Sequence, residues 1–252
     1  MKEFHGYIFT AAGASYYQWV EENEPAMFEE IRRRVAEGRW VLAGGWWLQP
    51  DCNLPCGESF ARHGLYGQQY FLSRFGKRAL FGYNVDSFGH NGALPQLLAQ
   101  CGMDSYVMMR PEQHEKALSS DTFLWEGIDG TRVLTYRIPT GYCTSVDASD
   151  FDRKREFFQK KIESEHASKM FFYGVGNHGG GPTSALLHRL EDWMKENPSV
   201  CYGSPADFFA KVRAGEEPVP VVQGDLQHHA IGCYSAFRQI KRDNCRSESR
   251  LL

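Results

Sequence analysis

Three short stretches of the 252-residue sequence gather side chains that could do chemistry. Asp86-Ser87-Phe88-Gly89-His90 sets a carboxylate two residues before an aromatic ring and four before an imidazole. A carboxylate so placed could serve as nucleophile, base or metal ligand, and could equally cap the turn that follows it. Residues 44–59, GGWWLQPDCNLPCGES, put Trp46 and Trp47 beside Asp51, Asn53 and Glu58 in a loop rich in glycine and proline. Aromatic faces stack on the CH faces of sugars while carboxylates and amides bind their hydroxyls, so a sugar site is one reading. Two core tryptophans beside an ordinary turn is the other. Residues 176–183, GNHGGGPT, place Asn177 and His178 ahead of three consecutive glycines, where a ligand can approach the backbone closely.

Several rival chemistries find no support. Neither G-x-x-x-x-G-K-[ST] nor G-x-G-x-x-G occurs, which argues against a nucleotide site. Cys52 and Cys56 form a lone C-x3-C without a second pair, and seven scattered cysteines do not suggest a secreted disulfide framework. His228 and His229 are adjacent, and neighbouring side chains on a strand point to opposite faces, so both rarely serve one ion. His114, His166 and His188 lie in polar or helical surroundings and read as solvated. Ser204-Pro-Ala-Asp207 is a helix-start signature rather than a site. Twenty-eight basic against thirty-one acidic side chains give a net charge of −3, which removes the electrostatic case for nucleic-acid binding. No run of apolar residues is long enough to cross a membrane, and the first residues lack the plain apolar stretch of a signal peptide. The expectation is a soluble, cytoplasmic protein.

Elements able to position these loops follow from periodicity and punctuation. Residues 25–38 read as a helix, with Pro25 suited to the first turn and Phe28, Ile31 and Val35 on one face. Trp40–Ala43 is a short apolar strand stopped by Gly44-Gly45. Residues 57–75 form a helix closed by Gly76, followed by a strand at 79–85. Leu94–Cys101 is a helix ended by Gly102, with strands at 104–109 and 132–137. Helices are expected at 151–168, 184–196 and 204–213, and strands at 170–175 and 199–203. Strands alternating with helices point to an α/β fold whose parallel sheet is open or closed into a barrel. In such folds chemistry collects at the carboxyl ends of the strands, where all three loops fall.

Taken together, the stretches 9–31, 38–59, 84–98, 173–183 and 224–236 resemble, in order, the glycoside hydrolase family 38 of retaining, zinc-dependent α-mannosidases. The resemblance implies an irregular seven-stranded β/α barrel, here incomplete. It would span residues 1–235, with 236–252 beginning a following helical domain. It makes Asp86 similar to the family's nucleophile, which also binds zinc, and Phe88 similar to an aromatic lining the mannose subsite. Arg110 and Tyr136 look like the active-site arginine and tyrosine. Trp46 or Trp47 would be the sugar-stacking tryptophan, with Asp51 beside it. The implied partner is an α-mannoside or mannose-containing oligosaccharide.

Two departures from the family pattern carry expectations of their own. No His-x-Asp precedes GYIFTAAG, so Asp86 is the one expected zinc ligand present, and this chain is not expected to retain the ion by itself. Asn177 stands where relatives carry the general-acid aspartate. The neighbouring His178, with an ordinary pKa of about 6.5, could replace it. A chain lacking the preceding barrel strand is also expected to be poorly soluble alone. The competing readings are a non-catalytic carbohydrate-binding remnant and another metal-dependent barrel hydrolase, such as a polysaccharide deacetylase.

Overall fold

A computed structural model describes residues 1–176, 179–215, 219–227 and 229–251. The chain divides into two compact units: Met1–Ile8 with Ile138–Glu216, and Phe9–Arg137 with Glu217–Leu252.

The larger unit begins β1 (Phe9–Ala12), α1 (Ala14–Asn23), α2 (Pro25–Ala36) and β2 (Trp40–Ala43). It continues with α3 (Gly57–Phe75), β3 (Phe81–Asn84), α4 (Leu94–Gln100) and β4 (Ser105–Met108). A hairpin of β5 (Thr122–Glu126) and β6 (Arg132–Arg137) follows. Strands β1 and β2 pair in parallel, and the remaining strands of the unit form a mixed five-stranded sheet ordered β3-β4-β6-β5-β7. Strand β7 is Val221–Gln223. The β3, β4 and β6 ladders are parallel, while β5 runs antiparallel to β6. Gly44 donates its N–H to the Phe81 carbonyl at 3.1 Å, which links the end of β2 to β3.

Most of the expected elements are present, and their boundaries have visible causes. Pro25 opens α2, whose Phe28, Ile31 and Val35 are buried. Gly76 ends α3 in the left-handed conformation at φ 64°, its N–H reaching the Leu72 carbonyl. In the smaller unit, α5 is Phe151–Glu165, α6 is Ser184–Glu196 and α7 is Pro205–Ala214. A full capping box of Ser204 and Asp207 starts α7. The expected strands at 170–175 and 199–203 do not form. Residues 170–175 make one isolated bridge, Val175 to Thr144, because Gly174 turns the backbone at φ 124°. Residues 199–203 follow a turn in which the Asn197 side chain and carbonyl accept from Ser199 and Val200. In that unit Phe151, Phe158 and Trp193 pack with Phe171, and the buried Lys154 donates to the carbonyls of Cys143 and Phe172.

The core under the strand ends of the larger unit joins Trp46, Phe60, Leu98, Tyr106, Met108, Phe123 and Trp125. A second cluster packs Tyr17, Phe28, Ile31, Val35 and Phe71 between the early helices and β2. Helix α3 meets the loop after β2 backbone to backbone: a Cβ on Gly67 would lie 2.5 Å from the Gly45 carbonyl oxygen and 2.6 Å from the Trp46 carbonyl carbon. Helix α3 and the loop that carries the tryptophans therefore stand in fixed register. We predict that Gly67→Ala destabilises the protein by about 1–3 kcal/mol despite a gain in helix propensity of about 1 kcal/mol. A melting temperature equal to or above that of the parent would contradict this close approach.

Candidate active site

The parallel β3, β4 and β6 direct their carboxyl ends to one side of the larger unit, and the site is built there. Asn84, the last residue of β3, is wholly buried and works as a clamp. Its Oδ1 accepts the Trp46 indole N–H at 2.9 Å. Its Nδ2 donates to the Pro50 carbonyl and to Ser87 Oγ, each at 3.3 Å, while Ser87 Oγ donates to the same carbonyl at 3.2 Å. The loop after β2 and the loop after β3 are thus joined inside the protein, where an unpaired polar group would cost about 1–3 kcal/mol.

With Val85 and Ser87 turned inward, Asp86 is turned outward, its side chain 52% exposed. Arg110, two residues past β4 and 17% exposed, donates from Nη1 to Asp86 Oδ1 at 2.7 Å and to the Val85 carbonyl at 3.4 Å. The guanidinium also lies over the Phe88 ring, 5.1 Å from its centroid. Asp86, Phe88 and Arg110 therefore form one cluster at the mouth of the sheet.

The other residues singled out in the sequence lie as follows. Trp46 is buried beneath the loop, edge-on to Phe60. Trp47 is half-buried and makes its contacts with Tyr70 of α3. Together with Gln18, Tyr66, Gln69, Tyr70 and Ser73, it lines a groove of about 540 Å³ between α1 and α3. Asp51 closes a turn, accepting from the backbone of Asn53 at 2.8 Å and Leu54 at 2.9 Å, and its Oδ2 accepts the Tyr234 hydroxyl at 2.9 Å. Tyr136 sits in β6 with no exposed surface. Asn177 and His178 lie outside the described residues.

Behind the cluster, His90 is fully buried, with Nδ1 2.8 Å from the Tyr106 hydroxyl. Burial pulls its pKa down to about 4, against the opposing influence of the Arg110 carbonyl and the Asp51 charge, so the ring is neutral at ordinary pH. Burial likewise pushes the Cys52 thiol up to about 12, which removes it as a nucleophile or thiolate ligand.

A histidine not assigned to the site from the sequence reaches the same mouth. His229 packs on Phe88 with ring centroids 5.4 Å apart, and its Nδ1 lies 2.7 and 2.9 Å from the two oxygens of Glu115. The strand alternation used to set the His228-His229 pair aside does not hold here, since β7 ends at Gln223 and Ala230 turns at φ 46°. His228 lies outside the described residues. Among the described residues no group of three or more His, Cys, Asp and Glu side chains could hold a metal ion. The described donors therefore do not by themselves fit a zinc site: Asp86 offers one carboxylate, and a cation already occupies one of its oxygens.

An exposed carboxylate oriented by an arginine, at the carboxyl end of a parallel strand in an α/β unit, lies where such folds gather their catalytic groups. The N-terminal domain of glycosyl hydrolases family 38 matches residues 1–230, and the chain belongs to that family. It is 33% identical over 250 residues to Alpha-mannosidase G of Dictyostelium discoideum, covering 97% of this chain and 23% of that protein. It is 30% identical over 243 residues to human Alpha-mannosidase 2C1, covering 94% of this chain and 23% of that one. The chain thus spans about a quarter of the length of these relatives. The crystal structure of an alpha-mannosidase from Enterococcus faecalis V583 matches 88% of this chain and 26% of that one, with a TM-score of 0.71 at 18% identity.

The buried imidazole has a consequence for stability. Below pH 6.5, the ordinary histidine value, the unfolded chain takes up a proton that the folded protein refuses until about pH 4. Unfolding free energy should therefore fall as pH drops through this window, by up to about 3 kcal/mol. Urea melts at pH 7 and pH 4.5 measure the slope, and His90→Gln, which cannot titrate, should flatten it. An equally steep slope in that variant would show that the loss arises elsewhere.

Proposed function

We propose that this chain is part of the catalytic domain of a retaining α-mannosidase that hydrolyses terminal α-mannosides through a covalent glycosyl-enzyme. The observation that carries this reading is Asp86, exposed at the end of β3 with Oδ1 held by Arg110. The names of the relatives supply the sugar. Arg110 fixes the plane of the carboxylate, and Oδ2, which makes no hydrogen bond among the described residues, is the oxygen that attacks the anomeric carbon. As the bond between the anomeric carbon and the glycosidic oxygen breaks, the departing oxygen needs a proton. We assign the donor to His178, since the amide of Asn177 cannot supply one. In the second half-reaction the same imidazole takes a proton from water as water opens the Asp86 ester.

Zinc is part of the proposal for the whole protein, with Asp86 as one ligand and the others drawn from residues outside those described. The seven-stranded barrel, the start of a helical domain at 236–252 and a cytoplasmic location belong to the same reading. The continuity of β2 with β3 through Gly44 and Phe81, and the helix Arg238–Leu251, are compatible with it.

Two variants in the complete protein test the roles. Asp86→Asn should lower kcat/KM for an activated aryl α-mannoside by at least about a thousandfold. Activity within tenfold of the parent would remove Asp86 as nucleophile. His178→Ala should cost about a hundredfold or more for an unactivated mannoside and little for one whose leaving group departs without a proton. A loss independent of the leaving group would exclude His178 as the acid.

A further inference from the structure

Lys154 is a buried cation that the proposed chemistry does not use. It lies on α5, 6% exposed, with its ammonium 5.6 Å from the centroid of the Phe171 ring. Its Nζ donates to three backbone carbonyls, those of Gly141, Cys143 and Phe172, the last two at 3.0 Å each. Burial draws its pKa down to about 8, against the opposing charge of Asp150, so the group is still an ammonium at neutral pH. An ammonium carries three N–H donors, and here each meets a carbonyl, which is the condition for burying it. The acceptors come from two separate stretches of the smaller unit, 141–143 and 172. A side chain so placed acts on the backbone of both.

Those stretches form the base of the glycine-rich segment. Thr144 donates its backbone N–H to the Gly174 carbonyl at 2.8 Å, and its Oγ1 accepts the Gly174 N–H at 3.2 Å. Thr144 also bridges to Val175. Val175 donates its N–H to the Gly181 carbonyl at 3.1 Å, which ties the exit of the segment to its entrance. Gly176 lies against Cys143: a Cβ there would be 2.7 Å from Cys143 Cβ, so Cys143 cannot move toward Gly176 without displacing the residue before Asn177. Cys143 is itself held through its carbonyl by Lys154. We propose that Lys154 is a positioning residue, which holds the Cys143 and Phe172 carbonyls and thereby fixes the base of the segment that carries His178. An acid is effective only within hydrogen-bond reach of the departing oxygen, so a base that shifts lowers catalysis while every reacting group is still present. This inference rests on the reading of His178 as the acid.

The test compares two substrates in the complete protein: methyl α-mannoside, whose leaving group needs a proton, and 2,4-dinitrophenyl α-mannoside, whose leaving group does not. Lys154→Met keeps the length and removes the donors. It should lower kcat/KM about tenfold or more for the methyl mannoside and leave the dinitrophenyl mannoside within about twofold. Lys154→Arg, which keeps a charged donor, should recover most of that loss. Thr144→Val removes the acceptor of the Gly174 N–H at nearly constant shape. It covers the case in which Lys154→Met does not fold, and should show the same split with a smaller amplitude. Equal losses on both substrates, or no loss on either, would overturn the positioning role. His178→Ala, measured alongside, separates the two readings. If it shows the split and the Lys154 and Thr144 variants do not, this inference alone fails. If it loses both substrates equally, His178 is not the acid and this inference falls with it.

Discussion

The indole N–H of Trp46 is buried away from the surface, and the arrangement of the loops at the mouth of the sheet follows from how it is satisfied. It pairs with Asn84, whose Nδ2 faces the Pro50 carbonyl, Ser87 Oγ and Cys52 Sγ. Breaking any member leaves a buried donor or acceptor without a partner, so the group is held together by the cost of its failure more than by the strength of each bond. The loops after β2 and β3 cannot move independently as a result. Asp86 lies between two residues that face inward, Val85 and Ser87, and its outward direction is a consequence of theirs.

The ion pair of Asp86 and Arg110 acts on orientation more than on stability. With the carboxylate half exposed, the pair contributes little to folding. Its value is geometric: the guanidinium is fixed by the Phe88 face and the Val85 carbonyl, and in turn fixes one carboxylate oxygen, leaving the other toward solvent. Phe88 is shared between Arg110 and His229, so one aromatic ring ties the partner of Asp86 to the Glu115 pair.

Much of the scaffold was legible in local signals. Pro25, Gly76 and the Ser204–Asp207 box mark helix ends by mechanisms that do not depend on the rest of the fold. Strand β5 was missed although Phe123 and Trp125 alternate with half-exposed neighbours and Asp129-Gly130 turns the chain into β6, a period-two signal with a turn behind it. The apolar run MFFYGV misled because its burial comes from packing by Phe171 on aromatic rings rather than from a ladder. Within the site, Asp86, Phe88 and Arg110 were named from the sequence and lie together. Glu115 and His229 are 114 residues apart, and no spacing rule connects them. The one local hint is the paired histidine, which strand alternation sets aside, whereas His229 lies beyond the end of β7.

The account depends most on Asp86 acting as the nucleophile. A fluorinated mannosyl fluoride that glycosylates the enzyme quickly and hydrolyses slowly would freeze the covalent state, and peptide mass spectrometry would locate the sugar. The account predicts one mannosyl adduct, on the peptide containing Asp86. An adduct on Asp51, Glu115 or any other carboxylate, with Asp86 unmodified, would contradict it.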